Sequence, residues 1–234
     1  MFDAAAASAV SHLDLSKIVL AIGSLGTAAY GVVDVSKGFG GGISNRGFGD
    51  IKKVVSKFIP APVGNAASAL TLPSVLATLR ANWLNGMALA DQKSVAKVLI
   101  KLNLTDASAN VMAGAAGVDA GLLESIAKKL ATGATLIQEE TDVYGRFDLL
   151  LSAMLDQGYQ RADQRYRNSA KLLAVPIAVA LALLGAWAIS SNGLSSADAW
   201  RASVAGLLAT PLAPVAKDLS SAIQAGAKVA QAWK

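Results

Sequence analysis

The segment KLLAVPIAVALALLGAWAIS, residues Lys171 to Ser190, decides the fold of this chain. From Leu172 to Ile189 it carries no charged side chain, and a helix of that length extends about 27 Å. The hydrocarbon core of a bilayer is about 30 Å thick. A surface helix of a soluble protein shows a polar stripe, and this segment has none. The segment therefore predicts a transmembrane helix.

The composition of the whole chain also favours lipid surroundings. The chain is 53% hydrophobic and only 16% charged, whereas soluble domains carry roughly 25% charged residues. The net charge of +5 suits either a nucleic-acid-binding protein or a bacterial membrane protein with basic cytoplasmic flanks. Because the charges cluster beside apolar segments, we favour the second and expect no nucleic-acid partner. There is no cysteine and one histidine, His12, so we expect no metal site and no cofactor.

Two further apolar segments accompany the first. Residues 15–33, LSKIVLAIGSLGTAAYGVV, predict an N-terminal transmembrane helix. Residues 202–216 extend only about 22 Å as a helix, so the sequence leaves open whether this segment crosses fully or is re-entrant. Pro211 and Pro214 are expected to break it. The predicted fold class is an all-α integral membrane protein with about three transmembrane helices and a small helical cytoplasmic domain.

The chain accordingly divides into four predicted parts. The middle shows only helical spacing, with start and stop signals at Thr71, Asn85–Gly86, Asp106 and Gly133. The parts are residues 1–36, an N-terminal arm and the first transmembrane helix; 37–133, a helical cytoplasmic region; 134–190, a long helix that runs into the second transmembrane helix; and 191–234, a hairpin return followed by an amphipathic tail.

Small residues at four-residue spacing mark the faces on which membrane helices are expected to pack. Such spacing places them on one side of a helix, where they allow a second backbone to approach closely. The helix-packing residues predicted in this way are Gly23, Thr27, Gly31, Ala174, Ala178, Ala182 and Gly206.

Basic and aromatic residues near the apolar segments are expected to contact lipid headgroups or the membrane interface. The segment DIKKVVSKFI, residues 50–59, predicts a basic amphipathic helix. Its apolar side suits either an anionic leaflet or the surface of the protein's own domain, and the sequence does not choose between them. The predicted interface residues are Lys52, Lys53, Lys57, Arg161, Arg165, Arg167, Lys171, Trp187 and Trp200.

The remaining charged residues of the middle are expected to be solvated. Lys93, Lys97 and Lys101 share one side of a predicted helix, and the acidic residues that open the long helix have exposed-looking spacing. Six residues are predicted to form the apolar side of the long helix: Leu149, Leu150, Ala153, Met154, Gln157 and Tyr159.

The distribution of lysine and arginine predicts the topology. The flanks at 37–57 and 161–171 and the tail are basic, whereas no Lys or Arg precedes Lys17 or lies between Ile189 and Arg201. By the positive-inside rule, we expect a protein of the bacterial inner membrane. Its N-terminus is expected outside the cytoplasm and residues 37–170 inside it.

The second half of the chain resembles a known group of proteins. Phe147–Asp148, the sequence Arg165-Tyr166-Arg167 before the apolar span, and the return LLATPLAP at 207–214 carry the resemblance. They are similar to an uncharacterised group of bacterial inner-membrane proteins with an N-terminal anchor, a helical cytoplasmic middle and a C-terminal transmembrane hairpin. That group usually has a Trp-Tyr-Lys-Arg-like element before the span, where this chain has Gln164-Arg165-Tyr166-Arg167. The resemblance implies topology and assigns no activity.

These features favour a non-catalytic accessory or scaffold subunit of a larger membrane complex. The expected partners are other membrane-protein subunits and anionic lipids. The alternative is a self-assembling membrane effector or pore, for which a homo-oligomer would be required. Since no nucleophile, base or metal set can be assembled from the sequence, we expect no enzyme.

Overall fold

The computed structural model describes residues 15–59, 70–191 and 193–232. These residues form helices and short connections with no strand among them, which confirms the all-α class. The predicted N-terminal arm before Leu15 and the last two residues of the predicted tail lie outside the described residues.

The described part of the chain contains eight α-helices and one 3₁₀ helix. A short 3₁₀ helix at Ser36–Gly38 lies between the first two. The α-helices are α1 (Leu15–Val35), α2 (Ser44–Phe58), α3 (Leu72–Leu84), α4 (Leu89–Leu102), α5 (Asp106–Ala116), α6 (Ala120–Thr132), α7 (Gln138–Ile189) and α8 (Ser196–Ala232).

The chain forms two compact units. The helical unit comprises Gly41–Arg167, and the apolar unit comprises Met1–Gly40 together with Asn168–Lys234. Helix α7 therefore contributes its first part to the helical unit and its last part to the apolar unit.

Helix ends in the helical unit follow the local signals in the sequence. Thr71 caps α3 by accepting a hydrogen bond from the Ser74 backbone N–H. Thr105 and Ser108 form a reciprocal capping box at the start of α5. Gly133 ends α6 in the left-handed region, at φ +71°.

Helix α2 is docked on the helical unit. It begins at Ser44, six residues earlier than the amphipathic pattern predicts. Ile51, Val55 and Phe58 are at most 1% exposed, and the Phe58 and Phe147 rings meet edge to face at 6.4 Å. The apolar side is covered by protein, so of the two alternatives left open for this helix the structure shows the docked one.

The buried face of α7 in the helical unit differs from the predicted one. Phe147, Leu151 and Leu155 are at most 2% exposed, whereas Leu149 is 72% exposed. The prediction that Leu149, Ala153 and Gln157 face the core is therefore wrong, because all three are exposed. Tyr159 is buried as expected. Apolar residues occur all round this part of α7, so the neighbouring helices, not the periodicity alone, select the buried face.

Several charged residues expected to be solvated form ion pairs instead. Lys97 Nζ and Lys101 Nζ lie 2.5 and 3.0 Å from the two carboxylate oxygens of Asp148, and Lys93 pairs with Asp156. Burial raises the pKa of Asp148, but hydrogen bonds from the two lysines outweigh it and hold that pKa below its ordinary value. The lysine row of α4 thus holds that helix against α7.

Glu140 is the most enclosed of these carboxylates. Its side chain is buried and accepts hydrogen bonds from Lys129 Nζ at 2.7 Å, Ser125 Oγ at 2.8 Å and the Ile137 backbone N–H at 2.9 Å. The hydrogen bond from Lys129, followed by those from Ile137 and Ser125, lowers the pKa of Glu140 from 4.5 to about 2. The ionised carboxylate therefore joins α6 to the start of α7.

We expect Glu140→Gln to destabilise the helical unit at neutral pH, because the amide cannot satisfy all three donors. A carboxyl with a lowered pKa contributes its full stabilisation above about pH 4.5 and loses it as the pH falls through about 2. The gap in unfolding midpoint between wild type and variant should therefore close on acidification over that range. The exposed neighbour Glu139 supplies the control, Glu139→Gln; a pH-independent gap for Glu140→Gln would contradict the assignment.

Two helices are long and apolar enough to cross a membrane. They are α1, over Lys17–Val35 with a mean hydropathy of 1.7, and α7, whose most apolar part has a mean hydropathy of 2.5. Helix α8 does not meet the same criterion among the described residues.

Helix α8 also corrects the prediction for its prolines. It continues through Pro211 and Pro214 to Ala232, so these residues do not break it. Proline removes one backbone hydrogen bond but fixes φ near −65°, which is a helical value. Residues 202–216 and the described part of the predicted tail, 217–232, therefore lie in one helix.

Candidate helix-packing groove

The interior of the apolar unit is built from small side chains. Apart from Val33 and Thr210, every described residue of this unit that is buried is glycine or alanine. The buried alanines are Ala29, Ala170, Ala174, Ala178, Ala202, Ala209, Ala213 and Ala216. Since alanine buries little apolar area, close backbone contact accounts for the packing of these helices.

Helices α1 and α8 approach one another at two glycines. A Cβ at Gly26 would lie 2.1 Å from the backbone oxygen of Ala209, and a Cβ at Gly23 would lie 2.1 Å from the Cβ of Ala216. Neither distance leaves room for a side chain. The contact between α1 and α8 therefore requires glycine at both positions.

Helices α7 and α8 meet at a third glycine. A Cβ at Gly206 would lie 2.5 Å from the Cα of Val179 and 3.0 Å from the backbone oxygen of Ala178. Ala178 and Ala174 are completely buried. The α7–α8 contact is thus also a contact between backbones.

The predicted packing face of α1 is only partly the one that the structure uses. Gly23 lies at the contact, but Thr27 and Gly31 are exposed, and nothing lies within 4 Å of a Cβ placed at Gly31. The buried face runs instead through Gly26 and on to Ala29 and Val33. Gly26 lies about 100° round the helix from the exposed Thr27, because an α-helix turns about 100° per residue. Spacing by four misplaced the face because the contact follows a spacing of three from Gly23.

Large apolar side chains point away from the interior of the apolar unit. Ile189 is 88% exposed, Leu172 72%, Trp200 70% and Trp187 63%. Only 22% of the apolar stretch of α1 and 11% of that of α7 are buried in the protein. The core helix of a soluble protein would be mostly buried, so this unit has its small residues inside and its large ones outside.

An open groove lies among α1, α7 and α8. It has a volume of about 710 Å³, and most of its lining is small or apolar. Gly185 lines it, and nothing lies within 4 Å of a Cβ placed there. Asp198 and Arg201 also line it, and Arg201 Nη1 lies 3.6 Å from Asp198 Oδ1. The small lining residues are Ala21, Ala182, Gly185, Ala186, Ala202 and Ala205. We call this surface the small-residue groove.

Five of the seven predicted packing residues lie at internal contacts or in the groove, and Thr27 and Gly31 lie at neither. Gly23, Ala174, Ala178 and Gly206 lie at internal contacts, and Ala182 lines the small-residue groove. Gly26 and Gly185 were missed by the sequence reasoning. Gly26 follows Gly23 by three residues, and that spacing was the available signal.

The predicted interface cations occupy different environments. Arg165 Nε lies 3.2 Å from the nearly buried Asp50 carboxylate, and Arg167 Nε lies 2.8 Å from Asp163. The others are exposed and form no ion pair within the described part of the chain: Lys52, Lys53, Lys57, Arg161 and Lys171.

The small-residue groove has the chemistry of a packing surface. Its lining offers polar side chains only at Ser190, Asp198 and Arg201, the last two paired with each other. Among the described residues, no group of three histidine or acidic side chains is placed to hold a metal ion. Comparisons with protein-family models, curated proteins and solved structures find no match to this chain.

Proposed function

We propose that this chain is a non-catalytic accessory or scaffold subunit of a larger bacterial membrane protein complex. The observation that carries the proposal is the small-residue groove, an open surface with six glycine and alanine residues among its thirteen lining residues, on a unit whose own helices already pack through glycine and alanine. The occupant that we propose is a transmembrane helix of another subunit.

Lipid surroundings for the apolar unit are part of the same proposal. In water, the exposed Leu, Ile and Trp side chains of this unit would remain in contact with solvent. Soluble monomers rarely expose large contiguous apolar patches. Lipid solvates those side chains, while the small residues inside allow van der Waals contact between backbones. The exposed Trp187 and Trp200 suit the headgroup level.

The proposed location is the bacterial inner membrane, with the N-terminus outside and the helical unit in the cytoplasm. The support is the excess of Lys and Arg in 37–57, in 161–171 and in the tail, where the positive-inside rule places cytoplasmic flanks. Anionic lipids are proposed partners of these cations.

A foreign helix fits the small-residue groove better than lipid chains do. Disordered acyl chains cannot make the continuous close contact that a helix backbone makes with a glycine and alanine surface. Gly185 lies in the middle of this lining on α7, with Ala182 and Ala186 beside it on the same helix. Lone glycines are costly in helix interiors, and a close-packed partner offsets that cost.

The proposal is tested by cross-linking from inside the groove. A photoreactive amino acid at Ala186, which lines the groove, should yield one discrete adduct with another membrane protein in cells. The same residue at the exposed Ala188, which does not line the groove, is the matched control and should yield little. An adduct with a second copy of the chain would favour self-assembly over the accessory role, and no preference for Ala186 would contradict docking in the groove.

We expect Gly185→Leu to abolish the Ala186 adduct, with at least a tenfold loss of its yield. The added side chain enters the groove without displacing the protein's own atoms, since nothing lies within 4 Å of the Cβ position. The thermal midpoint of the purified chain should therefore be retained. Ala188→Leu adds similar bulk outside the groove and should leave the adduct in place.

A further inference from the structure

A second cavity lies in the helical unit, between α2 and α7. It has a volume of about 320 Å³, at the lower end of the roughly 300–1,000 Å³ of small-ligand sites. Helix α2 contributes Lys53 and Lys57, and α7 contributes Gln157 and Arg161. Residues four apart share a helix face, so a pair of polar side chains from each helix lines the same space. We call it the α2–α7 cavity.

The rest of the cavity lining is partly apolar, and its shape depends on Gly158. A Cβ at Gly158 would lie 2.8 Å from Cγ2 of Val54, so glycine allows α7 to pack directly against α2 there. Val54 and Met154 supply apolar walls. Charge interactions are stronger beside apolar walls than in bulk water, because the local dielectric constant is lower.

The three cations of this cavity form no ion pair, whereas seven other lysines and arginines in the described part of the same unit do. Lys97 and Lys129 each lie within 2.7 Å of a carboxylate oxygen. In contrast, Lys53, Lys57 and Arg161 have no carboxylate within 4 Å in the described part of the chain. The carboxyl group that lines the cavity belongs to Asp50, and Arg165 already lies 3.2 Å from it.

We propose that the α2–α7 cavity binds a phosphate group. Arg161 offers a planar guanidinium fork, the two lysines offer ammonium charges, and Gln157 adds a neutral amide donor, a set that matches the oxygens of a phosphate. The lining carries three positive charges against the single negative charge of Asp50. The group can belong to an anionic lipid headgroup or to a soluble phosphate. The lipid source rests on the membrane location proposed above; the soluble source does not.

The test uses the full chain and two separate probes. In the soluble arm, the detergent-purified chain is titrated with inorganic phosphate, with chloride at equal ionic strength as the reference, and the unfolding midpoint is read out. In the lipid arm, the chain is placed in nanodiscs of phosphatidylcholine with or without phosphatidylglycerol. A saturable rise of the midpoint supports binding, because a ligand that binds only the folded state stabilises it. A rise with phosphate identifies a soluble source, and a rise only with phosphatidylglycerol identifies a headgroup.

Charge-neutral variants show whether the cavity is responsible. Lys57→Gln and Arg161→Gln should each weaken binding about tenfold or more, as expected for one lost charge-assisted hydrogen bond. Lys52→Gln removes an exposed α2 cation that does not line the cavity and should change binding less than twofold. Equal losses in all three variants, or no midpoint rise in either arm, would overturn the proposal. No groove residue is altered, so the Ala186 adduct reports on the accessory role independently.

Discussion

Gly26→Leu should detach α1 from α8 while leaving both helices formed. Gly26 sits where even a Cβ would lie 2.1 Å from the Ala209 backbone oxygen. That obstacle is backbone, so no rotamer change can relieve it, and the helices must separate. Overpacking of this kind costs about 1–3 kcal/mol and occasionally more, and a leucine beside a backbone oxygen should lie at the upper end of that range.

The effect is measured as the thermal midpoint of the purified chain in mild detergent, with helix content recorded alongside. The midpoint should fall, and the helix content should stay near that of the wild type, because each helix satisfies its own backbone hydrogen bonds in an apolar medium. Gly31→Leu is the matched control on the same helix, where nothing lies within 4 Å of the Cβ position. Equal midpoints for the two variants would contradict the α1–α8 contact.

Phe147→Ala should be the most damaging single truncation in the helical unit. Its ring is completely buried, meets Phe58 edge to face at 6.4 Å and stacks on Tyr144 at 6.3 Å. Removing a buried phenylalanine ring costs about 3–5 kcal/mol, because the lost transfer energy adds to the cost of the cavity. The free energies of unfolding of wild type and variant are compared by urea unfolding of the full chain in detergent. Unfolding is monitored by the fluorescence of Trp83, with the other tryptophans replaced by phenylalanine.

Leu149→Ala is the control for that experiment. Leu149 lies two residues away on the same helix and is 72% exposed, so its truncation should change stability by no more than about 0.5 kcal/mol. The sequence pattern places Leu149 in the core, so the pair also decides between the predicted and the observed helix face. A larger loss for Leu149→Ala than for Phe147→Ala would reverse that assignment.

The start and stop signals of the helices were predictable because they are local. Thr71 accepts a hydrogen bond three residues along the chain, and Gly133 takes a backbone conformation that disfavours other residues. Asp106, predicted as a helix signal, is the first residue of α5. The predicted face of α7 failed because its periodicity admits more than one apolar side, and the choice depends on residues such as Phe58 that are distant in sequence.

The sequence predicts that small residues pack closely in the apolar segments, but it does not predict which of them are in contact. Small residues in α1, α7 and α8 indicated close packing, but which ones meet depends on the rotation of each helix, which spacing by four does not determine. The ion pair of Lys97 with Asp148 joins residues 51 positions apart. Nothing local distinguishes such a lysine from a solvated one, whereas the structure separates it from the unpaired Lys53 and Lys57.

Labelling of a single cysteine tests the central claim, a chain anchored in the inner membrane with its helical unit in the cytoplasm. The chain has no cysteine, so Asn110→Cys, at an exposed position of α5, introduces a unique thiol. Carbonate-washed right-side-out and inverted inner-membrane vesicles are treated with a membrane-impermeant maleimide. The account predicts that the chain stays in the washed vesicles and is labelled only in the inverted ones. Release of the chain by carbonate, or labelling in right-side-out vesicles, would contradict it.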